Sequence, residues 1–249
     1  MSWNENNLSQ MGRPVPVRSG ERPLPRVVTA VETSALATNK VLRNTYMLLS
    51  MTLLFSAAMA GVSMVVGAPY GISLVCSLVA LGLLWFVVPR TANSEAGIWV
   101  VFAVTGLLGF GLGPVLNMYM KGFANGSQIV MMAFGLTGTI FVGLSAYAVS
   151  TRRDFSFMRG FLFTGILMAF IVSIGLLVAS LFGVYLQPLA LGVSAMFALL
   201  MCGLILYQTG EIVNGGETNY VLATVSLYVS IYNLFTSLLH LLGFASGED

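Results

Sequence analysis

Charge is the scarcest feature of this 249-residue sequence: only 8% of its residues are Asp, Glu, Lys or Arg, whereas 57% are hydrophobic. The mean hydropathy is +0.89. A soluble domain needs far more charge to cover its surface, so the composition excludes one. The net charge of +2 is too small to indicate nucleic acid as a partner, and the basic residues are not clustered with aromatic ones.

Histidine and cysteine are also scarce, and this excludes most metal and catalytic chemistry. One histidine, His240, cannot build a His-rich metal site, and the two cysteines form neither a CxxC nor a zinc-type spacing. A serine hydrolase needs Ser and His within reach of each other. The nearest nucleophile-like turn holds Ser145, which is expected at a different depth from His240. The sequence therefore predicts no enzyme, no metal site and no cofactor.

What the sequence does contain is seven apolar stretches, each close to the roughly 20 residues that cross a bilayer as a helix. Short connections rich in Gly, Pro and Asn separate them and make neighbouring helices antiparallel. The predicted spans are residues 45–66, 71–88, 96–119, 128–150, 160–182, 188–207 and 220–243. The fold class is therefore an all-α membrane protein, with its transmembrane domain at residues 45–246 and a short end at 247–249.

The first 44 residues differ from the rest because they are polar and rich in proline. Such a segment cannot bury enough apolar area to fold alone, so we predict a disordered tail at residues 1–44. It lacks a basic start followed by a short apolar run, so no cleavable signal peptide is expected.

The distribution of Lys and Arg predicts the orientation. With the amino-terminal tail inside, ten of the eleven basic residues lie in inner segments, and only Lys121 lies in an outer loop. This places the amino terminus in the cytoplasm and, after seven spans, the carboxyl terminus in the periplasm. If the last apolar run were re-entrant, the carboxyl terminus would instead be inside.

A polar seam runs along the last predicted helix, with its members spaced four, three, four and three residues apart. These members are Ser226, Ser230, Asn233, Ser237 and His240. An unpartnered polar group in hydrocarbon costs several kcal/mol, so the seam is expected to face protein or water. Two interpretations remain open: the seam bonds helices together, or it lines a water path that carries a cation.

Gln208 and Glu211, near the end of the sixth span, lie one turn apart on one face of a helix. Glu211 is the only acidic residue within reach of the membrane core. An ionisable group at that depth is a candidate functional group. The alternative is a solvated carboxylate that merely marks the end of the helix.

The third predicted span contains Gly109, Gly113, Pro114 and Asn117. The two glycines form a small-xxx-small pair that lets another helix approach closely, and Pro114 removes one backbone hydrogen bond. We interpret this element as a packing site with a bend, or else as a binding element.

Five segments of the sequence resemble the Bax inhibitor-1 family, and the resemblance extends over residues 40–246. They are KVLRNTY at 40–46, LGFGLGPVLNMY at 108–119, SAYAVSTRRDFSF at 145–157, GGETNYVLATVSLYVSIYNLF at 215–235 and LLGFAS at 241–246. The resemblance implies seven helices with the last one surrounded by the other six. It also implies an inner-membrane location and no enzymatic activity.

The resemblance is closest to a bacterial branch of the family, whose implied role is to bind and restrain the membrane-embedded AAA protease FtsH with its regulators HflK and HflC. The tail would be the end that the protease grips. Other members are described as pH-sensitive calcium leaks in which two aspartates share a proton. Their positions correspond here to Gln208 and Ser230, which do not titrate, so a gate of that kind cannot work in this sequence. A cation leak is therefore kept as the alternative function, and Glu211 is the only carboxylate that could replace the two aspartates.

Overall fold

The computed structural model describes residues 26–247, and side chains from Thr38 onward with the exception of Asn39. Within this range the chain is helical and has no strands. The helices are α1 Arg26–Val66, α2 Gly71–Thr91, α3 Ala96–Gly122, α4 Gly126–Thr151, α5 Arg159–Leu181, α6 Gln187–Val213 and α7 Tyr220–Ala245. Seven segments are long and apolar enough to cross a membrane, which confirms the predicted fold class.

The first helix begins earlier than the predicted span. Helix α1 starts at Arg26, directly after Pro25, and its apolar part is Lys40–Val66. Residues 26–44, which we predicted to be disordered, are therefore helical. They contain no Gly or Pro, and extending an existing helix needs no new nucleus. Residues 1–25 of the predicted tail lie outside the described residues, and there the disordered tail stays a prediction.

The sixth helix ends later than predicted, at Val213 rather than at residue 207. The segment from Gln208 to Val213 contains no Pro, and Gly210 alone does not stop the helix. Glu211 is consequently part of the last turn of α6. The connection to α7 begins only after it.

Helix α3 packs closely on α1 through its glycines. A Cβ placed on Gly109 would lie 2.3 Å from the carbonyl oxygen of Ser56, and one placed on Gly113 would lie 2.5 Å from the Cβ of Ser63. Asn117 donates from Nδ2 to the carbonyl oxygen of Met64 at 3.2 Å. The predicted element thus lies against α1, in the arrangement that small residues permit between membrane helices.

Pro114 sits in the middle of this contact, yet α3 continues through it to Gly122. A proline in a membrane helix is tolerated where neighbouring helices support the backbone. Here α1 supplies that support.

Helix α7 is the most buried of the seven. In its most apolar 18-residue window 61% of the residues are buried, against 11% in the α5 segment. It packs against α3, α4 and α6. It also contacts α1, because the hydroxyl of Thr224 donates to the carbonyl oxygen of Thr45 at 3.3 Å. Enclosure by all six other helices stays a prediction.

Tyr228 joins three helices at the centre of the bundle. Its side chain is 1% exposed. Its hydroxyl lies 2.5 Å from Oγ of Ser56 on α1 and donates to the carbonyl oxygen of Thr105 on α3 at 3.3 Å. A buried hydroxyl needs such partners, so this contact fixes the rotation of α7 relative to α1 and α3.

We expect Gly109→Ala to lower the free energy of unfolding by about 1–3 kcal/mol, because its methyl group would collide with the backbone of α1. The matched control is Gly135→Ala in α4, where a Cβ meets no atom within 4 Å. That variant should be as stable as the wild type or slightly more so. Denaturant unfolding in detergent measures both, and equal stability of the two variants would contradict the close packing of α1 on α3.

Candidate functional site

The connection between α6 and α7 is a tightly bonded turn. Oδ1 of Asn219 accepts from the backbone N–H groups of Val221 and Leu222, at 2.9 and 3.2 Å, and so caps the start of α7. Its Nδ2 donates to the carbonyl oxygen of Ala92 at 3.1 Å, which ties this turn to the α2–α3 connection. Gly215 has a φ of 79°, a conformation that glycine adopts readily.

The connection between α4 and α5 is fastened to the end of α6. Nδ2 of Asn214 donates to the carbonyl oxygen of Arg153 at 3.0 Å. The ring of Phe155 is buried against Gly210, where a Cβ would lie 2.8 Å from Cδ2 of the ring. Three connections therefore meet at the same end of the bundle, around the last turn of α6.

Asp154 shapes the α4–α5 connection. One of its carboxylate oxygens accepts from the N–H of Ser156 at 2.8 Å, and this bond holds the pKa of the carboxyl below its usual value. A carboxyl with a lowered pKa stabilises the fold above its ordinary pKa, and that contribution is lost as the pH falls through the folded value. At neutral pH the bond is therefore fully present.

A polar cavity of about 210 Å³ lies at this end, between the last turn of α6, the first turns of α7 and the connection between them. Its lining residues include Tyr207, Gln208, Glu211, Glu217 and Ser226. Glu211 is half-buried, and a Cβ on Gly216 would lie 2.7 Å from its Oε2. The carboxylate of Glu211 therefore lines the polar cavity beside Gly216. It is neither fully buried nor turned toward lipid.

The half of the polar seam nearer the α6–α7 connection meets α6 at Ser230. The hydroxyl of Ser230 is fully buried and donates to Oε1 of Gln208 at 3.0 Å, and it lies at the same distance from the carbonyl oxygen of Ser226. The residues at the two positions that the family resemblance singles out are thus in direct contact. Ser226 itself is exposed and lines the polar cavity. Gln208 lines the same cavity, so the Ser230–Gln208 pair lies beside it.

The half of the seam farther from that connection meets α6 at His240. Its Nδ1 lies 2.7 Å from Oγ of Ser194. The same hydroxyl also lies 3.0 Å from the carbonyl oxygen of Ala190, one turn earlier in α6. The arrangement is that of a helix contact.

The two remaining seam residues lie between these contacts. Asn233 donates from Nδ2 to the carbonyl oxygen of Val229 in its own helix at 2.8 Å, and Ser237 is buried. Sequence reasoning missed Ser194, although it precedes Gln208 by two heptads and so lies on nearly the same face of α6. It also missed Tyr228 and Ser56, for which no local pattern gives a signal.

The described residues contain no group of three or more His, Cys, Asp or Glu side chains that could hold a metal ion. Ser145, the nucleophile-like residue of the sequence, is buried 3.5 Å from the hydroxyl of Thr209 rather than near His240. The seam and its partners thus consist of hydroxyls, amides and one imidazole, with Glu211 at one end.

We expect Ser230→Ala to lower the free energy of unfolding by about 1 kcal/mol, because Oε1 of Gln208 then loses its donor inside the bundle. Ser226→Ala, one turn away and exposed, is the matched control and should stay within about 0.5 kcal/mol of the wild type. Denaturant unfolding in detergent compares them. If both variants are equally stable, the Ser230–Gln208 contact does not hold α6 to α7.

The profile of the family described as "Inhibitor of apoptosis-promoting Bax1" matches residues 38–247. The "Modulator of FtsH protease YccA" of Escherichia coli K12 is 50% identical over 216 residues, which cover 87% of this chain and 95% of that protein. An uncharacterized protein of Pseudomonas aeruginosa is 47% identical over 209 residues, covering 84% and 91% of the two chains. An uncharacterized membrane protein of Vibrio cholerae is 46% identical over 216 residues, covering 86% and 93%. The resemblance seen in the sequence is confirmed: this multi-span membrane protein belongs to the Bax inhibitor-1 family.

Proposed function

We propose that this protein binds FtsH in the bacterial inner membrane, together with HflK and HflC, and restrains the degradation of membrane proteins by that protease. The similarity to the FtsH modulator of Escherichia coli carries the proposal, since it extends over 95% of that protein at 50% identity. A modulator of this kind is a binding protein and needs no catalytic group of its own.

The contacts between α1 and α7 fit this role. A AAA protease pulls a membrane protein from an exposed end, so it loads one of the terminal helices first. Helix α1 is bonded to α7 through Ser56 and Tyr228, and to α3 through Met64 and Asn117. Breaking such bonds in hydrocarbon leaves polar groups without partners, which costs free energy. A bundle fastened in this way occupies the protease while resisting extraction.

The orientation that we propose puts the Lys40 end of α1 in the cytoplasm. The connections fastened around the last turn of α6 include Arg152 and Arg153, and Arg90 lies just before the α2–α3 connection. Basic residues gathered at one end of a bundle favour the cytoplasmic side. The amino-terminal residues would then be accessible to the cytoplasmic domain of FtsH, and the carboxyl terminus would be periplasmic.

Co-purification tests the proposal directly. Affinity-tagged full-length protein, extracted in mild detergent, should retain FtsH, because recognition is assigned to the helices and to the tail together. A variant lacking residues 1–39 should still insert but be degraded more slowly, because the exposed end is lost. A variant in which residues 1–25 are replaced by an unrelated polar linker of equal length should be degraded at the wild-type rate.

Failure of the full chain and of both variants to retain FtsH would remove the proposal. If the chain without residues 1–39 is degraded at the wild-type rate, the tail is not the end that the protease grips. That result would not contradict the binding of FtsH. A pulse-chase measurement in cells with and without FtsH separates these results.

A cation leak is the second candidate, favoured by the half-buried Glu211 in its polar cavity. The Ser230–Gln208 contact argues against a cation leak of this kind. Neither side chain titrates, so a proton cannot open or close the pair. A conducting path usually places carboxylates or rings of carbonyls at its narrow point. We therefore place the leak second.

Purified protein in calcium-free liposomes should show no calcium entry above that of empty liposomes, because the narrow point of the seam carries no charge. Gln208→Asp combined with Ser230→Asp should create a calcium flux that depends on pH, since two close carboxylates share a proton. A wild-type flux that Glu211→Gln abolishes would reverse the order of the two candidates.

A further inference from the structure

A groove of about 430 Å³ separates the middle of α1 from the middle of α4, and α7 forms its floor. Two aromatic contacts border it along the bundle. The rings of Tyr46 on α1 and Phe141 on α4 lie 6.0 Å apart at one end, and those of Phe134 on α4 and Phe235 on α7 lie 5.7 Å apart at the other. The groove thus lies between a contact of α4 with α1 and a contact of α4 with α7.

The mouth of the groove lies deep in the membrane. Ser50 follows Lys40 by ten residues and Phe141 precedes Thr151 by ten, so both walls begin about 15 Å from the ends of their helices. The hydrocarbon core is about 30 Å thick, which places the mouth near its middle. Leu54, 74% exposed, and Phe134, 63% exposed, stand at the mouth. Water and lipid headgroups do not reach this depth.

Three of the hydroxyl groups that line the groove already have partners within the protein. The hydroxyl of Tyr228 is bonded to Ser56, that of Thr137 donates to the carbonyl oxygen of Ala133 at 2.7 Å, and that of Ser50 donates to the carbonyl oxygen of Tyr46 at 2.8 Å. A buried water needs two to four polar partners. The groove offers hydrocarbon surface instead, so an apolar occupant fits it better than water or an ion.

Leu54, Ala57 and Gly138 line the groove and are exposed on the lipid-facing surface, so an acyl chain of the bilayer has direct access to it. An empty groove would leave its lining without dispersion contacts.

We propose that an acyl chain of a bilayer phospholipid occupies this groove, lies on Tyr228 and Ile231 of α7, and completes the packing between α1 and α4. The groove is open to the lipid-facing surface at the level where acyl chains are the surrounding solvent. The lipid is thereby an internal packing element of the bundle in addition to its role as solvent.

Photolabelling tests this proposal. The full-length protein is placed in vesicles whose phospholipid carries a diazirine near the end of one acyl chain, and adducts are mapped by mass spectrometry after irradiation. Ile231 is 7% exposed and lines the groove, so an adduct on it reports a chain inside. We expect adducts on Ile231 in the wild type, alongside general labelling of the exposed face of α5.

Gly138→Trp supplies the blocking variant, because a Cβ on Gly138 meets no atom within 4 Å and the indole would fill the groove. Labelling of Ile231 should fall roughly tenfold, since a filled groove leaves no volume for the chain. Gly143→Trp is the matched control on the same helix, equally open but outside the groove, and should label as the wild type does. Labelling of α5 serves as the internal standard.

A second pair of variants tests the opposite wall, on α1, in case Gly138→Trp misfolds. Ala57 lines the groove, so Ala57→Phe should reduce labelling of Ile231. Ala58 is exposed and outside the groove, so Ala58→Phe should not reduce it. Absence of an adduct on Ile231 in the wild type would overturn the proposal. So would equal labelling in the blocked and control variants, or crosslinks at Leu54 to a second protein in place of lipid.

Discussion

The need to satisfy polar groups inside hydrocarbon determines how these helices are arranged. Helix α7 carries hydroxyls, an amide and an imidazole, and three of its contacts with neighbouring helices use one of these groups. Tyr228 meets Ser56 on α1, Ser230 meets Gln208 on α6, and His240 meets Ser194 further along α6. An interhelical hydrogen bond contributes only about 0.6–2 kcal/mol, but two of them along the seam and one on another face together restrict the rotation and the depth of α7.

Close approach of backbones and bonding of side chains depend on each other here. Ser56 takes part in both, because its carbonyl oxygen lies where a Cβ of Gly109 would be and its hydroxyl reaches Tyr228. If α1 stood further from α3, that hydroxyl would move away from α7. The glycines of α3 and Ser56 of α1 therefore act together. The close packing of α1 on α3 places the hydroxyl of Ser56 where it can bond to α7.

The sequence predicts features that rest on a repeated pattern, and it does not predict contacts made by single residues. Seven apolar runs of sufficient length predict seven helices, and the four-three spacing predicts the seam. The predicted start of α1 and the predicted end of α6 were wrong, because residues without proline prolong a helix whose core is already formed. Ser194 was not recognised as the partner of His240, nor Ser56 as the partner of Tyr228, since the contact of a single serine depends on its tertiary neighbour.

The contact between the two terminal spans links the fold to the proposed restraint of a protease. A pull on the amino-terminal end loads α1, and a pull on the carboxyl-terminal end loads α7, yet these helices are bonded to each other through Ser56 and Tyr228 and through Thr45 and Thr224. Either pull therefore acts on the same buried contact. Because that contact lies in hydrocarbon, water does not replace the lost bonds while it breaks, and the barrier to extraction includes their full desolvation cost. A protein whose terminal helices hold each other is suited to engaging a pulling enzyme without being consumed by it.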